Sequence, residues 1–185
     1  NIEKFTQTLP KGCRLIAVSK TQPVEKILEA YEAGQRLFGE NKIQELTAKY
    51  ESLPNDIEWH MIGHVQSNKV KYMAPFVHLI HSVDSLKLLA EIDRQAKKVN
   101  RTISCLLQIH IATEETKFGF SESEVLETLQ SDQFKSLANV RILGLMGMAT
   151  LTDDQAQIRK EFKSLKTLFE KIKSFQIPNV AMQEL

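Results

Sequence analysis

The sequence predicts an α/β fold built on a parallel sheet, and two observations carry that prediction. Short runs rich in Val, Ile and Leu alternate along the chain with longer stretches of helical period, as successive βαβ units do. The short runs are also apolar on both faces, so they need cover on both sides, which helices supply in doubly wound sheets and in (β/α)8 barrels. Pattern alone does not separate those two architectures.

Each element has its own justification. "CRLIAVS" (13–19) is the first strand, an unbroken apolar run that ends abruptly in Lys20. "PVEKILEAYEAG" follows with Val24, Ile27, Leu28 and Tyr31 at helical spacing, and it opens on Pro23 and closes on Gly34, residue types that start and stop helices. "RLFG" (36–39), "IEWHMIG" (57–63) and "VHLIHSV" (77–83) read as the next three strands. "SLKLLAEIDRQAKKV" is a helix, "ISCLLQIHI" (103–111) and "VRILGLMGM" (140–148) are strands, and "IRKEFKSLKTLFEKIKSF" is the longest helix. A seventh strand begins near Val180. With 185 residues and no low-complexity tract or linker, residues 1–185 are expected to form one domain.

Composition excludes several function classes. There are 24 Lys and Arg against 23 Asp and Glu, giving a net charge of +1 with no long run of one sign, so no electrostatic footprint for nucleic acid is present. The longest apolar runs fall far short of the roughly 20 residues of a membrane span, and the chain does not open like a secretory signal. The expectation is a soluble, cytoplasmic protein. Cys13 and Cys105 both lie in apolar runs and are expected to be buried, reduced thiols; the sequon Asn100-Arg101-Thr102 then carries no meaning.

In either architecture chemistry sits just past the carboxyl ends of the strands. Those ends carry Ser19-Lys20, Glu40-Asn41, Gly63-His64 with Gln66-Ser67-Asn68, His81-Ser82-Asp84, the loop "ATEETKFG" and Met148-Ala149-Thr150. That mixed polar rim suits a small-molecule pocket. It holds no carboxylate pair of glycosidase type, and neither glycine-rich phosphate fingerprint occurs in the chain. His60 and His64 in "HMIGH" have zincin spacing, but Met61 replaces the glutamate, and in a strand the two lie about 13 Å apart, too far to share a metal. His78 and His81 read as strand residues, and no metal site is expected. "SNK" (67–69) reads as a helix start capped by Ser67 or Asn68. Asn41 could likewise cap the helix that follows it. On the residues alone, Lys20 is most simply the point where the first strand meets water.

"AVSKTQP", "GQRLFGENKIQE", "EWHMIGHVQSNK", "HSVDS", "TKFGF" and "GLMGMAT" follow one another in the order and spacing of the pyridoxal phosphate homeostasis (YggS/PROSC) family, which the chain resembles over essentially its whole length. The resemblance implies a (β/α)8 TIM barrel of the alanine racemase N-terminal type, with pyridoxal 5'-phosphate held as a Schiff base on Lys20. Partial desolvation at a barrel mouth would favour the neutral, nucleophilic amine that this bond requires. By the same resemblance Asn41 and Asn68 are pocket residues, His64 and Met148 line the cofactor's faces, and Lys117 matches a loop lysine that could serve as a transfer amine. The implied role is carrying and buffering the cofactor, regulating vitamin B6 and amino-acid/keto-acid balance, with no established catalysis. The implied protein is a monomer that hands its cofactor to pyridoxal-phosphate-dependent apoenzymes. The alternative is a weak amino-acid racemase or transaminase.

Three departures qualify the resemblance. Gln22 stands where many members have a second lysine after the first strand, leaving one amine instead of two. Only "NIEKFTQTLPKG" precedes the first strand, where some members have a helix. The family also continues past the equivalent of Leu185 into strands that cradle the phosphate, so the barrel is expected to be truncated before its last strands. Residues 1–185 alone are therefore expected to bind the cofactor more weakly than a longer chain.

Overall fold

The computed structural model describes residues 2–113 and 118–185. Seven strands lie side by side in chain order: β1 (Ala17–Val18), β2 (Leu37–Glu40), β3 (Glu58–Met61), β4 (Leu79–Val83), β5 (Ile103–Ile109), β6 (Val140–Gly147) and β7 (Val180–Glu184). Every neighbouring pair is parallel. Strictly sequential order with helices between strands is the winding of a barrel, because a doubly wound sheet reverses its strand order at a switch point. The topology thus separates the two architectures that the sequence pattern left open. Arg14, just before β1, pairs with Glu184 at the end of β7, an ion pair that joins the two edges of the sheet.

The helices are α1 (Ile2–Thr8), α2 (Val24–Glu32), α3 (Ile43–Ser52), a 3-10 turn (Ser67–Lys69) running into α4 (Val70–Met73), α5 (Leu86–Lys98), α6 (Glu122–Gln130), α7 (Asp132–Lys135) and α8 (Gln155–Lys173). Local chemistry sets their ends. Ser85 caps α5 by accepting from the Leu88 amide, and Ser121 with Glu124 forms a capping box on α6. At the end of α2, Gly34 takes a φ of 93°, and its amide and that of Gln35 donate to the carbonyls of Tyr31 and Ala30, which satisfies the last turn.

Alternation along the strands sorts side chains to two faces. Phe38, Trp59, Met61 and Ile80 are fully buried against the helices and join one hydrophobic core with Leu46, Leu89 and Ile92. Leu37, His60, Leu79, His81 and Leu106 line the opposite, interior face around a cavity of about 690 Å³.

Several expectations need correction. α1 is present within the segment ahead of β1. β1 is two residues rather than seven, because it is an edge strand that among the described residues pairs with β2 alone; the residues before it, Cys13 included, are therefore not in the sheet, and Cys13 is exposed while Cys105 is buried. The cap of the 3-10 turn is Gln66 with no side-chain bond, and the cap of α3 is Lys42, also without one, so Ser67, Asn68 and Asn41 do not act as caps.

Candidate functional site

Lys20 sits in a tight turn that closes β1. The Ser19 amide extends the ladder by donating to the Gly39 carbonyl at 3.0 Å, and the Gln22 amide donates back to the Ser19 carbonyl at 3.0 Å. Thr21 adopts a φ of 61°, uncommon for a β-branched residue, so the surrounding structure must hold it there. A network under the turn does this. Lys49 Nζ, on α3, donates to the Ser19 carbonyl (2.7 Å), Glu40 Oε1 (2.7 Å) and Glu45 Oε1 (2.6 Å). Ser19 Oγ donates to Glu40 Oε1 at 2.6 Å, and the Thr21 amide donates to Glu45 Oε1 at 2.7 Å. Residues on both sides of Lys20 are thereby pinned. The Lys49 hydrogen bond holds the Glu45 carboxyl below its ordinary range, with burial opposing and the Thr21 amide assisting.

Ser19 and Glu40 are buried, whereas Lys20 between the pinned residues of the turn is exposed. Its amine is thus open to a ligand at the carboxyl end of the sheet.

Past β2 and β3, a glycine brings two further residues together. A Cβ on Gly63 would fall 2.3 Å from the Asn41 carbonyl oxygen, so only glycine allows the β3 loop to lie against Asn41. Asn41 and His64 consequently line one small cavity of about 220 Å³ with Gln66 and Lys69. His64 Nδ1 lies 3.4 Å from Asp84 Oδ2, and its ring stacks on Phe118 with centroids 4.6 Å apart. Phe118 is carried there by a loop bound to the end of β5: Gln108 Nε2 donates to the Phe118 carbonyl, and the amides of Phe120 and His110 bond across to Gln108 and Phe120.

Asn68 is exposed in the 3-10 turn after β3, and Met148 follows β6 with 52% exposure. Neither lines the Asn41–His64 cavity. Thr150, two residues beyond Met148, accepts from the Thr113 amide and donates to Glu161 on α8, which ties the β5 and β6 ends to one helix. Lys20, Asn41, His64, Asn68 and Met148 therefore share the carboxyl end of the sheet, and Asn41 with His64 share a cavity. Lys117 lies outside the described residues.

Sequence reasoning missed Lys49, Glu45 and Phe118 as parts of this rim. Lys49 could have been suspected: it stands on the buried face of α3, four residues beyond Glu45, where a lysine needs a partner.

The alanine racemase N-terminal domain family matches residues 1–183. A pyridoxal phosphate homeostasis protein of Helicobacter pylori J99 is 38% identical, covering 92% of this chain and 78% of its own. That of Aquifex aeolicus is 36% identical over 98% of this chain and 82% of its own. Among solved structures, PipY of Synechococcus elongatus PCC7942 without pyridoxal phosphate superposes with a TM-score of 0.92 at 35% identity, covering all of this chain and 85% of that one. The same protein with pyridoxal phosphate bound gives 0.88. An alanine racemase of Clostridium difficile 630, at 12% identity and a TM-score of 0.72, shares the fold. Identity above 30% over most of both chains, on a sequential parallel sheet with its polar rim at the carboxyl ends, places this protein in the pyridoxal phosphate homeostasis family, within the alanine racemase N-terminal domain fold.

Proposed function

We propose that this chain binds pyridoxal 5'-phosphate as a Schiff base on Lys20 and serves to carry and buffer it, keeping the free aldehyde low. The observation that carries this reading is the pyridoxal-phosphate-bound form of PipY, a relative at 35% identity over the whole chain. The residues present fit the group. Lys20 offers an exposed primary amine on a turn pinned from both sides, so its reach is set by the backbone instead of by a wandering loop. When bound, the cofactor would supply an aldehyde, and Lys20 would supply the primary amine that holds it.

The other rim residues bind and orient. Asn41 and Asn68 offer amide donors and acceptors for the cofactor's polar edge, while His64, backed by Phe118, and Met148 cover its faces. Gln22 supplies no second amine in the turn, so Lys20 is the sole attachment point there. Residues 1–185 act in this reading as one domain and a monomer in the cytoplasm, with pyridoxal-phosphate-dependent apoenzymes as recipients. Among the described residues no helix is long and apolar enough to cross a membrane, and both cysteines are free thiols. The curated relatives are named as homeostasis proteins, which favours carriage over catalysis.

Borohydride reduction of the protein incubated with pyridoxal phosphate, followed by peptide mass mapping, tests this. A pyridoxyl adduct on Lys20 that is absent in Lys20→Ala is expected. An adduct confined to other lysines overturns the assignment.

A further inference from the structure

At the opposite end of the sheet lies a cluster that the rim does not use. Glu58 and His60 stand two residues apart on β3, and His78 immediately precedes β4. Among the described residues, one potential ligand atom from each of these three lies within 4.8 Å of the others. His78 Nε2 is 3.4 Å from Glu58 Oε2, and the His60 and His78 rings are 5.4 Å apart between centroids.

His60 is 1% exposed, and its two nitrogens differ. Nδ1 lies 2.8 Å from His81 Nε2, so one proton is shared between them, whereas the buried Nε2 has no hydrogen-bond partner. If His81 donated that proton, His60 Nε2 would carry a buried N–H with nothing to accept it, the costlier kind of orphan. The assignment that avoids this has His60 Nδ1 donating to His81, which leaves Nε2 as a bare lone pair in a protein interior. A metal-binding histidine is arranged the same way: one nitrogen is fixed by a neighbour and the other is left free for the ion.

We propose that Glu58, His60 and His78 form a binding site for a first-row divalent transition-metal ion, with His81 orienting the His60 ring. Two imidazoles and one carboxylate select zinc and its neighbours over magnesium or calcium, which take oxygen ligands. Zinc bonds of about 2.0–2.1 Å put tetrahedral donor atoms roughly 3.3 Å apart, so the ligands must close by roughly 1.5 Å. Glu58 and His78 can supply that movement, since their side chains are 41% and 46% exposed. Arg14, the cation felt by His60 and His81, is already paired with Glu184. The ion would bridge β3 to β4 at the amino end of the sheet, away from Lys20, so the site is independent of cofactor binding.

Titration of the full chain with Co²⁺, followed by its visible d–d absorption and by competition with Zn²⁺, reads the site directly. One equivalent is expected. His78→Ala at an exposed position and Glu58→Gln at a half-buried one, neither in the hydrophobic core, should each weaken binding by roughly tenfold or more, and His81→Gln by roughly 10–100-fold. Absence of a cobalt band in the parent chain, or equal affinity in the parent and the His78 and Glu58 variants, overturns the proposal.

Discussion

The two ends of the sheet bury polar groups in opposite ways. At the carboxyl rim, Glu40 and Lys49 are both buried and meet as an ion pair at 2.7 Å, with Ser19 and Glu45 completing the network. Toward the amino end His60 is buried and His81 half-buried, and burial first, then the neighbouring His81 and His78, push His60 down to about 3. Burial likewise pushes His81 down to about 4. One end compensates buried charge with charge, and at the other the imidazoles themselves are kept neutral. The rim thereby gains directional bonds that hold a turn in an unusual conformation, while the base keeps neutral lone pairs.

Breaking the compensation should have the largest effect. Lys49→Met removes the cation and leaves the Glu40 carboxylate buried with the Ser19 hydroxyl as its remaining donor. A loss of about 3–5 kcal/mol in urea unfolding is expected, and the double variant Lys49→Met/Glu40→Leu should recover most of it, since replacing both partners is often neutral. The single variant should also release the Lys20 turn, lowering the yield of pyridoxyl adduct at a given cofactor concentration. A double variant as unstable as the single would show that the network matters for its shape and not for its charge balance.

Acid should probe the other end. A histidine whose folded pKa is depressed binds its proton in the unfolded chain first, so stability is fully present above the unfolded value near 6.5 and is lost as pH falls toward the folded values of about 3 and about 4. Between pH 7 and pH 5 the loss comes to about 2 kcal/mol for each imidazole that remains neutral when folded. His60→Gln should flatten that slope by about half. An unchanged slope would place the acid sensitivity elsewhere.

This contrast also marks what the sequence could tell. Strands β2 to β6 and helices α2, α5 and α8 are legible because each has its own apolar run or period, and α2 has its end signals in Pro23 and Gly34 as well. Lys20, Asn41 and His64 are legible as rim residues because they follow strands. The His60–His81 contact joins residues 21 apart through strand register, and the Lys49–Ser19 bond joins residues 30 apart through helix packing. Neither register nor packing is written in a local pattern, so those partners emerge only in three dimensions. The two-residue β1 shows the same limit from the other side: an apolar run specifies a strand, but its length depends on what pairs with it.

A smaller effect tests how the rim is fitted together. Gly63→Ala would drive a Cβ to 2.3 Å from the Asn41 carbonyl oxygen, a backbone atom that cannot rotate away. The β3 loop must then move off Asn41, at a cost of about 1–3 kcal/mol by analogy with overpacking. Because His64 follows directly, the shared Asn41–His64 cavity should open, and cofactor affinity should fall while the amino-end acid profile stays as it was. A change in that profile would mean the two ends are coupled.

The smallest effect concerns the face that His64 presents. Its Nδ1 edge meets Asp84, and its face stacks on Phe118. Phe118 is 60% exposed, so truncating it opens no hole in the core. Phe118→Ala should therefore leave unfolding unchanged and weaken cofactor binding by roughly 2–10-fold, the equivalent of about 0.5–1.5 kcal/mol for one aromatic pair. Phe118→Leu keeps the apolar cover without the ring stack. If it restores binding, Phe118 acts by excluding water from His64; if it does not, the stack itself orients the imidazole, and the rim is then set by ring geometry as well as by the ion-pair network beneath Lys20.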